Sequence, residues 1–224
     1  MPQKRLMRMV AIVPVVAGLG CAGAVAFRDG AAGNTVEDVT RALSARGASV
    51  SAEARNAMSE RLVHAAVRAP DDPSVHELLG LMAMSHREPE HASEADIHFR
   101  RALELRPGSA YTWANLASVK YRMGDTGGEF ETALIHAAHL GPYEPEVQAT
   151  VANFGLAVWP EASPELKSAV EQMVRAGMRR SPPEMLQIAQ RRGRLAVACR
   201  YLAVSPRQND SKWSQLCQSM EATS

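Results

Sequence analysis

Residues 95–107 read Ala95-Asp96-Ile97-His98-Phe99-Arg100-Arg101-Ala102-Leu103-Glu104-Leu105-Arg106-Pro107. Ala95, Phe99, Ala102 and Leu105 share one helical face, and the proline stops the helix. The next apolar series, Trp113, Leu116, Ala117 and Tyr121, lies on a second helix that ends at a turn around Gly124-Asp125. Phe130, Ala133, Leu134, Ala137 and Leu140 then lead into Gly141-Pro142. Small alanines let two helices approach closely, large aromatics fill the gaps between turns, and proline closes each pair. Moving outward, Pro73, Pro107 and Pro142 are separated by 34 and 35 residues.

Self-similarity at that period marks two-helix repeats, and residues 73–142 resemble tetratricopeptide repeats, with 51–72 a looser match. The resemblance implies an all-α solenoid of antiparallel helix pairs. Counted from Pro73, the first repeat has Leu79 in the place usually held by tryptophan and His86 in the place usually held by tyrosine. The second repeat is one residue longer, and the extra residue is assigned to the Gly127-Gly128 turn.

Helical signals continue on both sides. Thr35 before Val36-Glu37-Asp38 reads as a cap with acidic residues in the first turn, and Gly47 as a stop. Ser51 to Ala69 carries Ala54, Met58, Leu62 and Ala65 or Ala66 at helical spacing, and Pro70 and Pro73 are expected to end it. Beyond Pro142 three proline-bearing starts follow: Tyr143-Glu144-Pro145-Glu146, Ser163-Pro164-Glu165 and Ser181-Pro182-Pro183-Glu184. Gly193 breaks the chain before Leu195 to Leu202, and a last short helix is expected around Lys212 to Ser219 with Trp213, Leu216 and Cys217. The expected organisation is a basic flank (1–8), an apolar segment (9–27), a linker (28–34), helical repeats (35–162) and a helical end cap (163–224).

The apolar segment is an address. Lys4, Arg5 and Arg8 precede Met9 to Phe27, nineteen positions without a charge. As a helix this spans about 28 Å, close to the thickness of a bilayer core. It reads as an uncleaved signal anchor or as a signal peptide cleaved after the small residues near Ala24 and Ala26. Gly18 stands where a lipoprotein signal before Cys21 has leucine, which argues against lipidation. With either reading the basic flank stays in the cytoplasm. The helical part is then expected in the periplasm, held at the bacterial inner membrane or released there after cleavage. An oxidising compartment lets disulfides persist, so Cys199 and Cys217, eighteen residues apart, are expected to pair.

The chain has 224 residues and a formal charge of +1, so no global field draws it to nucleic acid. Residues 1–28 carry four basic groups and no acid, and 163–224 carry ten basic against five acidic, which leaves −8 for 29–162. Apolar residues make up 46% and aromatics only 5%, a balance that favours close-packed helices over β-structure.

No phosphate loop, dinucleotide turn, nucleophile elbow or H-E-x-x-H zinc motif occurs. His136 and His139 share a helix face, as do His91, Glu94 and His98, and neither set completes a metal site. Glu129 and Glu131 flank Phe130 and point to different sides, so they form no acid–base pair. No enzyme, cofactor or metal is expected. The run Arg191-Arg192-Gly193-Arg194 is a candidate patch for an acidic glycan or another anionic ligand, since arginine pairs bidentately with carboxylate and phosphate. The concave surface of a repeat array falls to exposed members of 75–86 and 110–122, with Asn115, Lys120 and Tyr121 as candidate groove residues for a protein partner.

Trp113-Ala114-Asn115-Leu116-Ala117, Gly128-Glu129-Phe130-Glu131-Thr132-Ala133-Leu134, Leu140-Gly141-Pro142-Tyr143-Glu144-Pro145 and Arg191-Arg192-Gly193-Arg194-Leu195 form a combination. Together with Cys199, a late tryptophan and Cys217, they resemble small anchored tetratricopeptide-like proteins of bacterial exopolysaccharide loci, the VpsP type. That resemblance covers roughly 70–220. It implies an accessory, non-catalytic role in polysaccharide synthesis or export. A glycan-binding module and an assembly factor for pili, outer-membrane proteins or cytochromes are the alternatives.

Overall fold

The computed structural model describes residues 30–43, 50–86, 88–202 and 217. All regular structure among them is helical. We number the helices α1 (30–43), α2 (Ala52–Arg68), α3 (Pro73–Met84), α4 (Pro89–Leu105) and α5 (Ala110–Arg122), then α6 (Gly128–Leu140), α7 (Pro145–Ala157), α8 (Pro164–Arg180), α9 (Pro182–Arg191) and α10 (Leu195–Cys199). None of these helices is long and apolar enough to cross a membrane. The apolar segment 9–27, the Gly47 stop and all but Cys217 of the expected last helix lie outside the described residues.

The chain divides into two compact units, 1–82 and 83–224. In the first, Ala32 and Val39 of α1, Met58, Leu62 and Ala65 of α2, and Val75, Leu79 and Met82 of α3 form one core. Residues 30–34, expected as a linker, are already helical; Gly30, Gly33 and Asn34 are poor helix formers, and the fully buried Ala32 ties the segment to the core. Thr35 therefore lies inside α1, where its hydroxyl donates to the Ala31 carbonyl at 3.1 Å instead of capping a start. Ser51 does cap: its hydroxyl accepts the Ala54 N–H at 3.2 Å.

In the second unit each helix from α4 onward packs on its successor, and α5 meets α7, α6 meets α8, and α7 meets α9. Connections of a few residues, such as 106–109 and 141–144, force consecutive helices to run antiparallel. Ser109 and Ser163 accept N–H groups from the first turns of α5 and α8. Glu131 of α6 receives the Ser163 N–H at 3.0 Å, which fixes where α8 begins. Alanines at 0 to 4% exposure (Ala95, Ala102, Ala117, Ala133, Ala137, Ala152, Ala169) line the contacts between helices. Gly155 is the closest approach: a Cβ there would fall 2.1 Å from Val170 Cγ2.

The helix pairs obey a register that differs from the expected one. Pro73 opens α3 and ends no helix, and the Asp72 carboxylate accepts the Ser74 N–H at 2.8 Å there. Pro70, Pro107, Pro142 and Pro182 instead each follow the C-cap residue of α2, α4, α6 and α8. Twelve, eight and five residues before each proline stand Met58, Leu62 and Ala65; Ala95, Phe99 and Ala102; Phe130, Leu134 and Ala137; and Val170, Val174 and Gly177. All twelve are buried. The first three prolines share a further device. Their carbonyls meet a side-chain nitrogen six residues on: His76 Nε2 at 2.9 Å, Trp113 Nε1 at 2.8 Å and Gln148 Nε2 at 2.7 Å. In each case the first turn of the next helix is tied to the end of the previous one. Thus His76, not Leu79, occupies the place of Trp113, and His86 lies in the turn after α3. The spacings of the four prolines become 37, 35 and 40 residues, and the closing helices vary with them, α4 and α8 being 17 residues long against 13 for α6.

Candidate functional site

On α7 the residues Ala149, Thr150, Asn153 and Phe154 share one face, and on α9 Glu184, Ile188 and Arg191 do. With Arg192 they line an open cleft of about 570 Å3. Arg192 is the C-cap residue of α9, and Gly193, with φ +66°, turns the chain away behind it. L side chains rarely adopt that conformation, so a glycine is what lets the chain leave immediately after Arg192.

Arg192 Nε donates to Asn153 Oδ1 at 3.0 Å. Its guanidinium carbon lies 5.6 Å from the centroid of the Tyr121 ring and 6.0 Å from that of Phe154. Tyr121 and Phe154 are 4.9 Å apart, and fully buried Phe130 supports Tyr121 from 6.1 Å. Three helices and one turn therefore build a cation on an aromatic shelf. A guanidinium held at Nε keeps its terminal nitrogens available as a fork for a carboxylate or phosphate. Among the described residues, no carboxylate pairs with Arg191 or Arg192. Glu184 supplies the one negative charge on the cleft wall, and Thr150 and Asn153 supply neutral polar atoms.

Two candidate groups that the sequence kept apart meet at Arg192: it lines the cleft with Arg191 of the arginine run, and its guanidinium lies over Tyr121 of the groove set, which does not itself line the cleft. Arg194 is not part of the cleft. Its Nε is buried and has no hydrogen-bond partner among the described residues. Asn115 is half-buried on α5 and does not line the cleft. Asn153, Phe154, Thr150, Glu184 and Ile188 escaped sequence reasoning; their shared face on α7 and α9 was the available signal.

Lys120 is not a groove residue. It is 5% exposed, with Nζ at 3.2 Å from Asp96, 3.5 Å from Asp125 and 3.0 Å from Glu129. Arg100 joins the network through Asp96 at 2.8 Å and through Glu129. Burial pulls the Lys120 ammonium down, but its bonds to Glu129 and Asp96 more than offset this and hold it above its ordinary value. Burial likewise pushes Glu129 up, and the bonds from Arg100 and Lys120 bring it below the usual carboxylate value. A lysine at the helix position facing the α4–α5 contact is buried because three carboxylates converge on it, a fact that helical periodicity cannot reveal.

His136 stacks on Trp113 at 4.6 Å, away from any metal-binding group of the described residues. His91 gathers with His86 and Glu88 rather than with His98. Glu129 and Glu131 serve separate contacts, the first with Arg100 and Lys120 and the second with Ser163. Cys199 and Cys217 form a disulfide with Cα atoms 5.6 Å apart.

Compared with protein-family models and with curated proteins, the chain matches no family model and no curated relative.

Proposed function

We propose that the protein is a non-catalytic, tetratricopeptide-like scaffold that grips an acidic, extended segment of a protein partner in the cleft between α7 and α9. Two features support the repeat reading. His76-x2-Leu79-Gly80, Trp113-x2-Leu116-Ala117 and Gln148-x2-Val151-Ala152 hold the tryptophan, leucine and small-residue places of that pattern. The four proline-closed helices hold its second half. The pattern's tyrosine place is taken by Ala83, Lys120 and Gly155, so the array departs from the family where Lys120 is ion-paired.

The observation that carries the binding reading is Arg192, tied to Asn153 and laid over Tyr121 and Phe154. A preorganised cation on an aromatic surface gives a carboxylate both a charge and a flat apolar neighbour. Nothing at the cleft pairs a nucleophile with a base, so gripping without transformation fits its chemistry best. In keeping with the basic N-terminal flank and the exopolysaccharide resemblance, the partner belongs to a polysaccharide synthesis or export complex. The scaffold then stands in the periplasm, anchored in the inner membrane by 9–27.

Fluorescence anisotropy with panels of acidic and neutral peptides, and with acidic oligosaccharides in parallel, tests this reading. Acidic peptides should bind in a salt-sensitive manner and lose at least tenfold on Arg192→Ala. Binding of oligosaccharides in their place would transfer the cleft to a glycan, and binding of neither would remove the reading.

A further inference from the structure

The turn joining α3 to α4 carries a second constellation, independent of the cleft. His86, Glu88 and His91 each place one ligand atom within 4.8 Å of the others. The two imidazole rings meet edge to face, with centroids 4.5 Å apart. His91 Nε2 faces a Glu88 carboxylate oxygen at 3.9 Å, and its Nδ1 faces Glu94 at 3.6 Å on the other side. The backbone beneath is pinned at both ends. His86 N–H donates to the Ala83 carbonyl at 3.1 Å, and His91 N–H to the Glu88 carbonyl at 3.2 Å. Arg122, reaching over from α5, donates to the carbonyls of Met84 (2.9 Å) and His86.

We propose that His86, Glu88 and His91 form a binding site for a divalent transition-metal ion, with zinc as the best fit. Two imidazoles and one carboxylate suit Zn2+, Ni2+ or Cu2+, whereas Mg2+ and Ca2+ favour all-oxygen sets. Tetrahedral zinc with bonds of about 2.1 Å needs its ligand atoms about 3.4 Å apart. Side-chain rotations close the gap from 4.8 Å, because both backbone segments are already held. Glu94 at His91 Nδ1 occupies the place of the carboxylate that orients a metal-bound imidazole, leaving Nε2 for the ion. Glu88 and Glu94 also bring negative charge to the turn. Water completes the fourth position. The ion would cross-link the end of α3 to the start of α4.

Isothermal titration of the untagged full-length chain with zinc chloride, and separately with magnesium chloride, tests the site. One zinc ion should bind per chain and magnesium none. His91→Ala and His86→Gln should each weaken zinc binding at least tenfold, and Glu94→Gln by about tenfold, the size of an orienting carboxylate. His86 sits in a turn outside any helix, so His86→Gln keeps the fold, which circular dichroism checks. Zinc should also raise the thermal midpoint of the wild type but not of the histidine variants, since binding to the folded state alone stabilises it. No zinc heat in the wild type, or zinc binding that survives both histidine substitutions, overturns the site.

Discussion

Lys120 Nζ lies 3.2 Å from Asp96 Oδ1 in a place where the lysine side chain is only 6% and the aspartate 13% exposed. Removing Lys120 leaves Asp96 with Arg100 alone, at 2.8 Å, in a poorly solvated site, and that loss outweighs the value of the bond itself. Lys120→Met keeps the stem and the packing but leaves Asp96 and Glu129 facing each other across Arg100. The expected cost is about 3 kcal/mol. Urea unfolding should show a lower midpoint with an unchanged slope.

The same network sets the acid limit of stability. Glu129 titrates below its ordinary value in the folded chain, so its contribution is present above the unfolded carboxylate value and is lost as pH falls through the folded one. Lys120 titrates above its ordinary value, so its contribution is complete at neutral pH and is lost only as pH rises beyond about 10.5. Urea midpoints measured against pH should therefore be level through neutrality and decline in the carboxylate range. In Lys120→Met the acid decline should shrink, because Glu129 has lost one of the two bonds that lower it.

Two glycines should respond differently to the same change. A Cβ on Gly155 meets Val170 Cγ2 at 2.1 Å, and a β-branched valine inside a helix strongly prefers a single χ1 well, so it retreats only at a cost. A Cβ on Gly177 meets Met185 atoms at 2.6 and 2.7 Å, but methionine has three soft torsions through which to retreat. Gly155→Ala should destabilise by about 3 kcal/mol, at the upper end of overpacking, and Gly177→Ala by about 1 kcal/mol or less. Comparable thermal midpoints for the two variants would contradict this account of the α7–α8 contact.

Helix content and pairing were legible because they rest on local chemistry. Ser51, Ser163 and the Pro145, Pro164 and Pro182 starts all open helices as read. The register was not, because Pro70 and Pro73 both flank the α2–α3 turn, and what distinguishes them is structural: Pro70 follows the C-cap of α2 and its carbonyl accepts from His76 Nε2, whereas Pro73 opens α3. α10 is likewise shorter than expected. It ends at Cys199, the residue bonded to Cys217, not at Leu202. The site was half legible. Tyr121 and Arg192 were both picked out, yet 71 positions separate them, and their meeting depends on α5, α7 and α9 packing in succession. Lys120 misled because a lysine on a helix of mixed polarity reads as exposed until its carboxylate partners on α4, on α6 and in the turn after α5 are known.

The shelf under Arg192 makes the last prediction. Tyr121 contributes a ring, and its hydroxyl has no part in holding the guanidinium. Tyr121→Phe should leave binding of an acidic peptide within about twofold, while Tyr121→Ala should weaken it about fivefold, the equivalent of ~1 kcal/mol for a lost cation–π contact. Arg192→Lys preserves the charge but not the planar fork or the Nε bond to Asn153, so it should bind nearly as poorly as Arg192→Ala. Asn153→Ala frees the guanidinium without altering its charge. It should lower affinity and leave the salt dependence of binding unchanged. If Arg192→Lys bound as the wild type does, the cleft would be reading charge alone, and the aromatic shelf would be packing without a role in recognition.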